Sequence, residues 1–145
     1  MEKVEVSNFY EDLPVKITSE DCEKYGGLDL YRDIVGDSNE KISTFLDTVH
    51  SHIYDFLIYS TGDRKIKNDI IEKYIEELEK PIKRALIVQA QYLISNNNIE
   101  LFNGVVKTVN GVDVKDTADI IQKVLAPTII NILGSTKPNI LFAGR

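Results

Sequence analysis

The chain has 145 residues, of which 43% are hydrophobic, enough for one domain with a real hydrophobic core. Its formal charge is −6, with a balance of −8 over residues 1–60 and +2 over residues 61–145. This acidity disfavours tight DNA binding, because affinity for duplex comes mainly from neutralising phosphates. No run approaches the ~20 apolar residues of a membrane span. The single cysteine, Cys22, excludes an internal disulfide and fits a reducing compartment.

Residues 1–17 are predicted to form an extended N-terminal arm or edge strand, because apolar and polar residues alternate within them. Thr18 or Ser19 can cap a short helix that follows, with acidic residues at its positive end. Gly26 and Gly27 are expected to end that helix. The acidic residues could also suggest a cation site, but the helix dipole alone explains them.

The clearest amphipathic helix is predicted to begin at Asp37, which forms a variant of the capping box with Glu40. One apolar stripe follows, made of Ile42, Phe45, Leu46, Val49, Ile53, Phe56 and Leu57. His50 and His52 are two residues apart, so on a helix they point in different directions and cannot share a metal ion. We expect both histidines to be exposed or partly packed.

Residues 64–80 begin with basic side chains and continue as a second amphipathic helix. Pro81 is expected to break or kink the path after this helix. The basic runs at residues 64–67 and 80–84 fit solvated helix ends, and they also fit a helix-turn-helix DNA reader.

The stretch from Pro81 to Ile94 is predicted to be the central helix of the fold. It is too long for a typical strand, and at helical spacing its apolar positions leave only a narrow polar edge. That edge consists of Lys83, Arg84, Gln89 and Gln91. Its six large apolar side chains would contribute roughly 10–18 kcal/mol of gross burial. We therefore expect the rest of the chain to pack around this helix.

Residues 105–114 carry the strongest β-hairpin pattern in the chain. Two short valine-rich runs flank Asn110-Gly111, the pair that a type I′ turn favours. Two strands alone are marginal, so the hairpin should lie on the helices or pair with another chain. We predict subunit contacts at this hairpin through Val106, Thr108, Asn110, Gly111 and Val112.

The C-terminal third is predicted to contain a helix that begins at Asp116 or Thr117 and a short helical stretch from Pro127 to Gly134. Residues 134–145 then form a tail that must tuck into the core or bind a partner, because it becomes apolar near its end. Residues 1–145 are thus predicted to form a single, mainly α domain. Its fold class is a helical bundle around a central buried helix, with one small β-hairpin and extended N- and C-terminal arms.

No motif in the sequence indicates catalysis. The glycines form no phosphate-binding loop, and no serine has the flanking glycines of a nucleophile elbow. Cys22 could in principle pair with His50 or His52, yet nothing local supports such a pair. We predict no catalytic residue, no cofactor and no metal site, and the sequence argues against an enzyme.

The central helix resembles the signature helix of phage head–tail connector (adaptor) proteins. The resemblance lies in Ile82-Lys83-Arg84-Ala85, followed by Gln89-Ala90-Gln91-Tyr92-Leu93-Ile94 and an Asn-rich break. The order of elements is similar too, with helices first, then a hairpin excursion and a short helix over residues 126–133. The closing run over residues 140–145 is apolar, aromatic, glycine and basic in turn, and the match spans roughly residues 37–145.

The resemblance implies a non-enzymatic virion protein that forms a dodecameric ring beneath the portal. Such a ring extends the DNA channel, lets genomic DNA pass without tight binding and offers a platform to a head-closure or tail protein. It would be assembled in the bacterial host cytoplasm and would reside in the neck of the virion, with no membrane partner. The alternative is a small helical regulator that binds DNA or a protein.

The C-terminal tail is the predicted site of contact with the portal or with a neighbouring subunit. The predicted contact residues are Asn139, Ile140, Leu141, Phe142, Gly144 and Arg145.

Overall fold

The computed structural model describes residues 3–26, 35–36, 38–59, 62–95 and 125–142. Within these segments the chain is mainly helical, as predicted, and contains no β-strand. The helices are α1 (Ser19–Gly26), α2 (Asn39–Tyr59), α3 (Arg64–Lys73), α4 (Ile75–Ser95) and α5 (Ile129–Gly134), and a 3-10 turn spans Asn8–Tyr10. The predicted hairpin over residues 105–114, with its subunit-contact residues, lies outside the described residues, as does the predicted helix start at residues 116–117.

Helix α4 is the hub of the fold, since it packs against α1, α2, α3 and α5. Along its inner face Ile82, Leu86 and Leu93 are at most 1% exposed. The prediction of a central helix within residues 81–94 is therefore confirmed.

The break between α3 and α4 falls at Tyr74. Of the two outcomes predicted at Pro81, a break or a kink, the break is therefore wrong. Tyr74 leaves the helical region at φ −115° and ψ 36°. Its carbonyl then accepts the N–H groups of Glu77 and Leu78, at 3.1 and 2.9 Å, which starts α4. Pro81 lies inside α4 and omits only one helical hydrogen bond. Burial of Leu78 and Ile82, one turn apart on either side of Pro81, holds the helix together there.

Helix α2 presents the predicted apolar stripe to the core. Every member of the stripe is buried except Phe56, which is half-buried. The helix begins at Asn39, and the Ser38 hydroxyl accepts the N–H of Lys41 at 3.1 Å. Ser38 therefore caps the helix, whereas Asp37, the predicted cap, lies outside the described residues.

The N-terminal segment is not an arm that projects from the domain, which corrects that prediction. Val4, Leu13, Val15 and Ile17 are at most 8% exposed and belong to the hydrophobic core. Ser19 fastens the start of the segment to α1, because its hydroxyl accepts the Val4 N–H at 2.8 Å and its own N–H donates to the Val4 carbonyl at 2.9 Å. Asp21, and not the predicted Thr18 or Ser19, supplies the side chain that fixes the start of α1. Its carboxylate accepts the Thr18 backbone N–H at 2.9 Å and the Thr18 hydroxyl at 3.3 Å.

The C-terminal segment is likewise packed on the helices as far as Ile140. Ile140 is fully buried, and its carbonyl accepts a hydrogen bond from the Lys67 Nζ at 2.7 Å. The Asn139 side chain donates to the Gly134 carbonyl at 3.1 Å and so folds the segment back on α5. The tail was expected either to tuck into the core or to bind a partner. At Ile140 it tucks into the core.

Candidate interaction surfaces and the buried polar groups

Helix α2 holds the N-terminal segment with a row of polar side chains. Asp47, His50 and Tyr54 lie one after another on the face of the helix that meets this segment. The Asp47 carboxylate accepts the N–H of Ser7 at 2.8 Å. The Tyr54 hydroxyl accepts the Val15 N–H at 3.1 Å and donates to the Val15 carbonyl at 2.9 Å. These side chains form hydrogen bonds with backbone groups of the segment, as a neighbouring strand would in a sheet. The segment can therefore be extended without forming a sheet.

His50 is a structural histidine, which corrects the expectation that it is exposed or partly packed. It is fully buried, and its Nδ1 lies 2.7 Å from the Leu46 carbonyl. Because a carbonyl only accepts, Nδ1 carries the proton, and Nε2 accepts the Ile17 N–H at 3.0 Å. Burial lowers the pKa of His50 to about 4, so both bonds are present at neutral pH.

His52 is also buried, at 3% exposed, and joins α2 to α4 and to the segment before α5. The Gln89 side-chain carbonyl accepts the N–H of Ala126 at 2.8 Å, which fixes the orientation of the amide. The Gln89 amide nitrogen therefore donates to His52 Nδ1 at 3.1 Å. Burial lowers the pKa of His52 to about 4 as well. Gln89 was predicted on the polar edge of the central helix, and this assignment is wrong.

Two further groups, the Cys22 thiol and the Lys67 ammonium, are also enclosed. Cys22 is 3% exposed, and burial raises the pKa of its thiol to about 12. Lys67, one of the basic residues of the predicted 64–67 run, is fully buried against Ile140. In the described parts of the chain, no three His, Cys, Asp or Glu side chains gather in a way that could hold a metal ion.

The predicted tail contacts are placed differently from one another. Ile140 is in the core, Asn139 and Leu141 are half-buried, and Phe142 is 55% exposed. Gly144 and Arg145 lie outside the described residues. A partner that approaches this folded tail would therefore meet Phe142 and not Ile140.

One open groove runs along α4 and is called the α4 groove here. It has a volume of about 420 Å³ and is lined by Lys80, Lys83, Arg84, Ile87, Val88 and Gln91. A second cavity of about 300 Å³ shares Lys80 and Arg84 and extends to Ile132 on α5. The surface therefore combines three cationic side chains with half-buried aliphatic ones.

A protruding aromatic side chain marks a second surface. Phe9 is 71% exposed, and its ring meets that of Tyr10 edge-on, with centroids 4.9 Å apart. The guanidinium carbon of Arg64 lies 5.6 Å from the centre of the Phe9 ring. Arg64 also pairs with the carboxylate of Asp12 at 2.8 Å. We call Phe9 with the adjacent exposed carboxylates of Glu11 and Asp12 the Phe9 knob.

Comparison with known proteins yields no relative: no protein-family model matches the sequence, no curated protein is significantly similar to it, and no solved structure matches the fold. Among the helices of the described segments, none combines the length and hydropathy that crossing a bilayer requires.

Proposed function

We propose that this chain is a non-enzymatic structural subunit of a phage head–tail connector. Twelve copies would form a ring beneath the portal in the neck of the virion, after assembly in the cytoplasm of the bacterial host. The ring would extend the DNA channel and offer a platform to a head-closure or tail protein. The net charge of −6 suits a channel that passes DNA without holding it.

The observation that carries the proposal is the position of the helix that bears the connector-like sequence. Residues Ile82 to Ile94 lie within α4, which packs against all the other helices of the described segments. The short helix α5, which corresponds to the last helix of the resemblance, packs directly on α4. Residues of a helix that contacts all the others affect the packing of the whole domain. A pattern on such a helix is therefore more informative about the fold than a pattern on the surface would be.

The burial of the cysteine and of the two histidines supports the non-enzymatic part of the proposal. Cys22, His50 and His52 are at most 3% exposed. Both ring nitrogens of His50, and the Nδ1 atom of His52, form hydrogen bonds that hold elements of the fold together. A nucleophile or a general base must reach its substrate, and these groups are instead committed to the interior.

The proposal is tested by mixing the purified chain with portal protein from the same phage and imaging the product by electron microscopy. We expect a ring of added density on one face of the portal. Phe142→Ala should weaken co-sedimentation with the portal, whereas Tyr59→Ala, which removes another exposed aromatic ring, should not. Portal particles that carry no added density would overturn the proposal.

The alternative, a regulator that binds DNA, is favoured by one observation, the cluster of Lys80, Lys83 and Arg84 on the α4 groove. Against it, Lys67 of the other basic run is buried. A gel-shift experiment at low and high salt separates the two functions. Tight duplex binding with a steep salt dependence would favour the regulator.

A further inference from the structure

A polar cavity lies between α3 and the N-terminal segment, next to the Phe9 ring, and is called the α3 cavity here. It has a volume of about 380 Å³ and is lined by Asp12, Arg64, Lys65, Asn68, Asp69 and Glu72. The Arg64 guanidinium binds the Asp12 carboxylate at 2.8 Å and also lies 5.6 Å from the centre of the Phe9 ring. The cavity and the exposed Phe9 ring therefore form one continuous surface.

Two buried polar atoms of the residues that line this cavity have no hydrogen-bond partner within the described residues. They are Asn68 Oδ1 and Arg64 Nε, on side chains one helical turn apart. Asn68 is only 8% exposed, and a buried acceptor is normally paired because leaving it unpaired costs free energy. The torsion that turns an asparagine amide has broad minima, so this amide can rotate to present its oxygen to the cavity. A ligand that donates a hydrogen bond there would remove the cost.

The unpaired groups match the hydrogen-bonding pattern of a peptide group. A peptide group has one N–H donor and one carbonyl acceptor. Its N–H can pair with Asn68 Oδ1, and its carbonyl can accept the Asn68 NH₂ or the Arg64 Nε–H. This chain already binds an extended segment in the same manner, because side chains of α2 form hydrogen bonds with the backbone of Ser7, Val15 and Ile17.

The charge of the α3 cavity favours a basic side chain on such a peptide. Asp12 neutralises the Arg64 guanidinium. The other charged lining residues are Lys65, Asp69 and Glu72, so acidic groups are in excess. Asp69 and Glu72 are both exposed, and in the described parts of the chain neither forms an ion pair. They lie one turn apart on α3, so one lysine or arginine side chain can contact both.

The Phe9 ring offers apolar contact beside the cavity. It is 71% exposed, yet Tyr10 packs against it edge-on and is itself hydrogen-bonded to Ser51 of α2. An aromatic side chain that is held in this way loses little conformational freedom when it binds. Such side chains are effective anchors in protein interfaces.

We propose that the α3 cavity and the Phe9 ring bind an extended peptide segment of a partner protein, one that carries a lysine or an arginine. The backbone of the segment pairs with the Asn68 amide. Its basic side chain contacts Asp69 and Glu72, and a neighbouring apolar side chain packs on Phe9. Binding at this site does not depend on the connector function, because it requires neither a ring nor the portal.

A titration followed by NMR tests the site directly. The probe is a blocked peptide of sequence Val-Lys-Val-Lys-Val, whose valines favour the extended state. The control peptide has glutamate in place of lysine. We expect the lysine peptide to shift the signals of the Asn68 amide and the Arg64 Nε–H, and to bind at least about tenfold more tightly than the control. Equal binding of the two peptides, or shifts confined to other residues, would overturn the proposal.

A third ligand tests whether the peptide backbone is recognised. Butylammonium has the charge of a lysine side chain and no peptide group. It should bind at least about tenfold more weakly than the lysine peptide, because it cannot pair with the Asn68 amide. Equal binding would show that the site recognises charge alone and would contradict the proposal.

Asn68→Leu separates recognition from folding, since leucine has nearly the shape of asparagine and lacks the unpaired amide. We expect the thermal midpoint of this variant to equal or exceed that of the wild type, and its affinity for the lysine peptide to fall at least about tenfold. A lower midpoint together with unchanged affinity would assign Asn68 a structural role and overturn the proposal.

Glu72→Lys changes an exposed residue and therefore tests the charge without disturbing the core. It should weaken binding of the lysine peptide at least about tenfold, whereas Glu40→Lys, an equal charge change on α2, should not. Equal affinity in these two variants would contradict the proposal.

Imaging on the portal separates this site from the connector function. If Asn68→Leu chains fail to bind the lysine peptide but form portal rings like those of the wild type, both ideas are supported. If the wild-type chain binds the lysine peptide and forms no ring, the connector function fails and the peptide site stands. If the wild-type chain forms rings and does not bind the peptide, the peptide site is wrong.

Discussion

The two buried histidines should make the domain sensitive to mild acid. Protonation of His50 at Nε2 breaks its hydrogen bond to the Ile17 N–H. Protonation of His52 at Nδ1 removes the acceptor of the Gln89 amide N–H, so that two donors face each other. Both pKa values are lowered to about 4 in the folded chain, against an ordinary value of about 6.5 in the unfolded chain. The stabilisation from each neutral histidine is therefore complete above about pH 6.5 and is lost as the pH falls towards 4.

The size of the effect follows from these pKa values. Between pH 7 and pH 5 the unfolded chain binds on average about 0.7 proton more than the folded chain at each histidine. This difference lowers the free energy of unfolding by about 2 kcal/mol for each histidine, or about 4 kcal/mol for both. The Asp47 carboxylate and Lys16 act on His50 in opposite directions, and burial outweighs both.

Urea unfolding at pH 7, 6 and 5 measures this loss in the wild type and in His50→Gln and His52→Gln. Each variant should be less stable at pH 7 by about 1–3 kcal/mol, because a buried hydrogen bond is lost. Each should also lose only about 2 kcal/mol between pH 7 and pH 5, half of the wild-type loss, since one titrating group remains. The same pH dependence in all three proteins would refute the reasoning.

Three further predictions concern the packing of the two terminal segments and a turn. Tyr54→Phe should lower the free energy of unfolding, measured in urea, by about 1–3 kcal/mol, because the N–H and carbonyl of Val15 lose their partner. The control Tyr59→Phe, at an exposed position, should change it by less than about 0.5 kcal/mol. Ile140→Ala should cost about 2–5 kcal/mol in the same assay, since Ile140 is fully buried; a cost below about 1 kcal/mol would show that the tail does not pack as described. Gly36→Ala should lower the thermal midpoint, because Gly36 has φ +102° and an added Cβ would lie 3.1 Å from the Lys41 side chain; an unchanged midpoint would contradict this.

The helices with strong periodicity could be predicted from the sequence. The stripe of α2 and the apolar face of α4 follow from residue spacing alone, because burial of one helical face requires that spacing. The position of the α3–α4 break could not be predicted. A proline usually marks such a break, but here tertiary packing of Leu78 and Ile82 outweighs the single hydrogen bond that Pro81 omits.

The buried polar residues were missed because residue type was given more weight than position. His50 lies one turn from Leu46 and His52 one turn from Val49, so the two histidines flank the apolar stripe of α2 on opposite edges. Gln89 follows Leu86 at helical spacing in the same way on α4, and position alone could have indicated that all three are buried. The α4 groove and the Phe9 knob could not be found from the sequence, because each depends on how separate segments pack.

The most direct test of the connector function is cryo-electron microscopy of the wild-type chain mixed with portal protein from the same phage. We expect a closed ring beneath the portal in which α4 lies inside each subunit. A chain that stays dispersed in the presence of portal particles would contradict it.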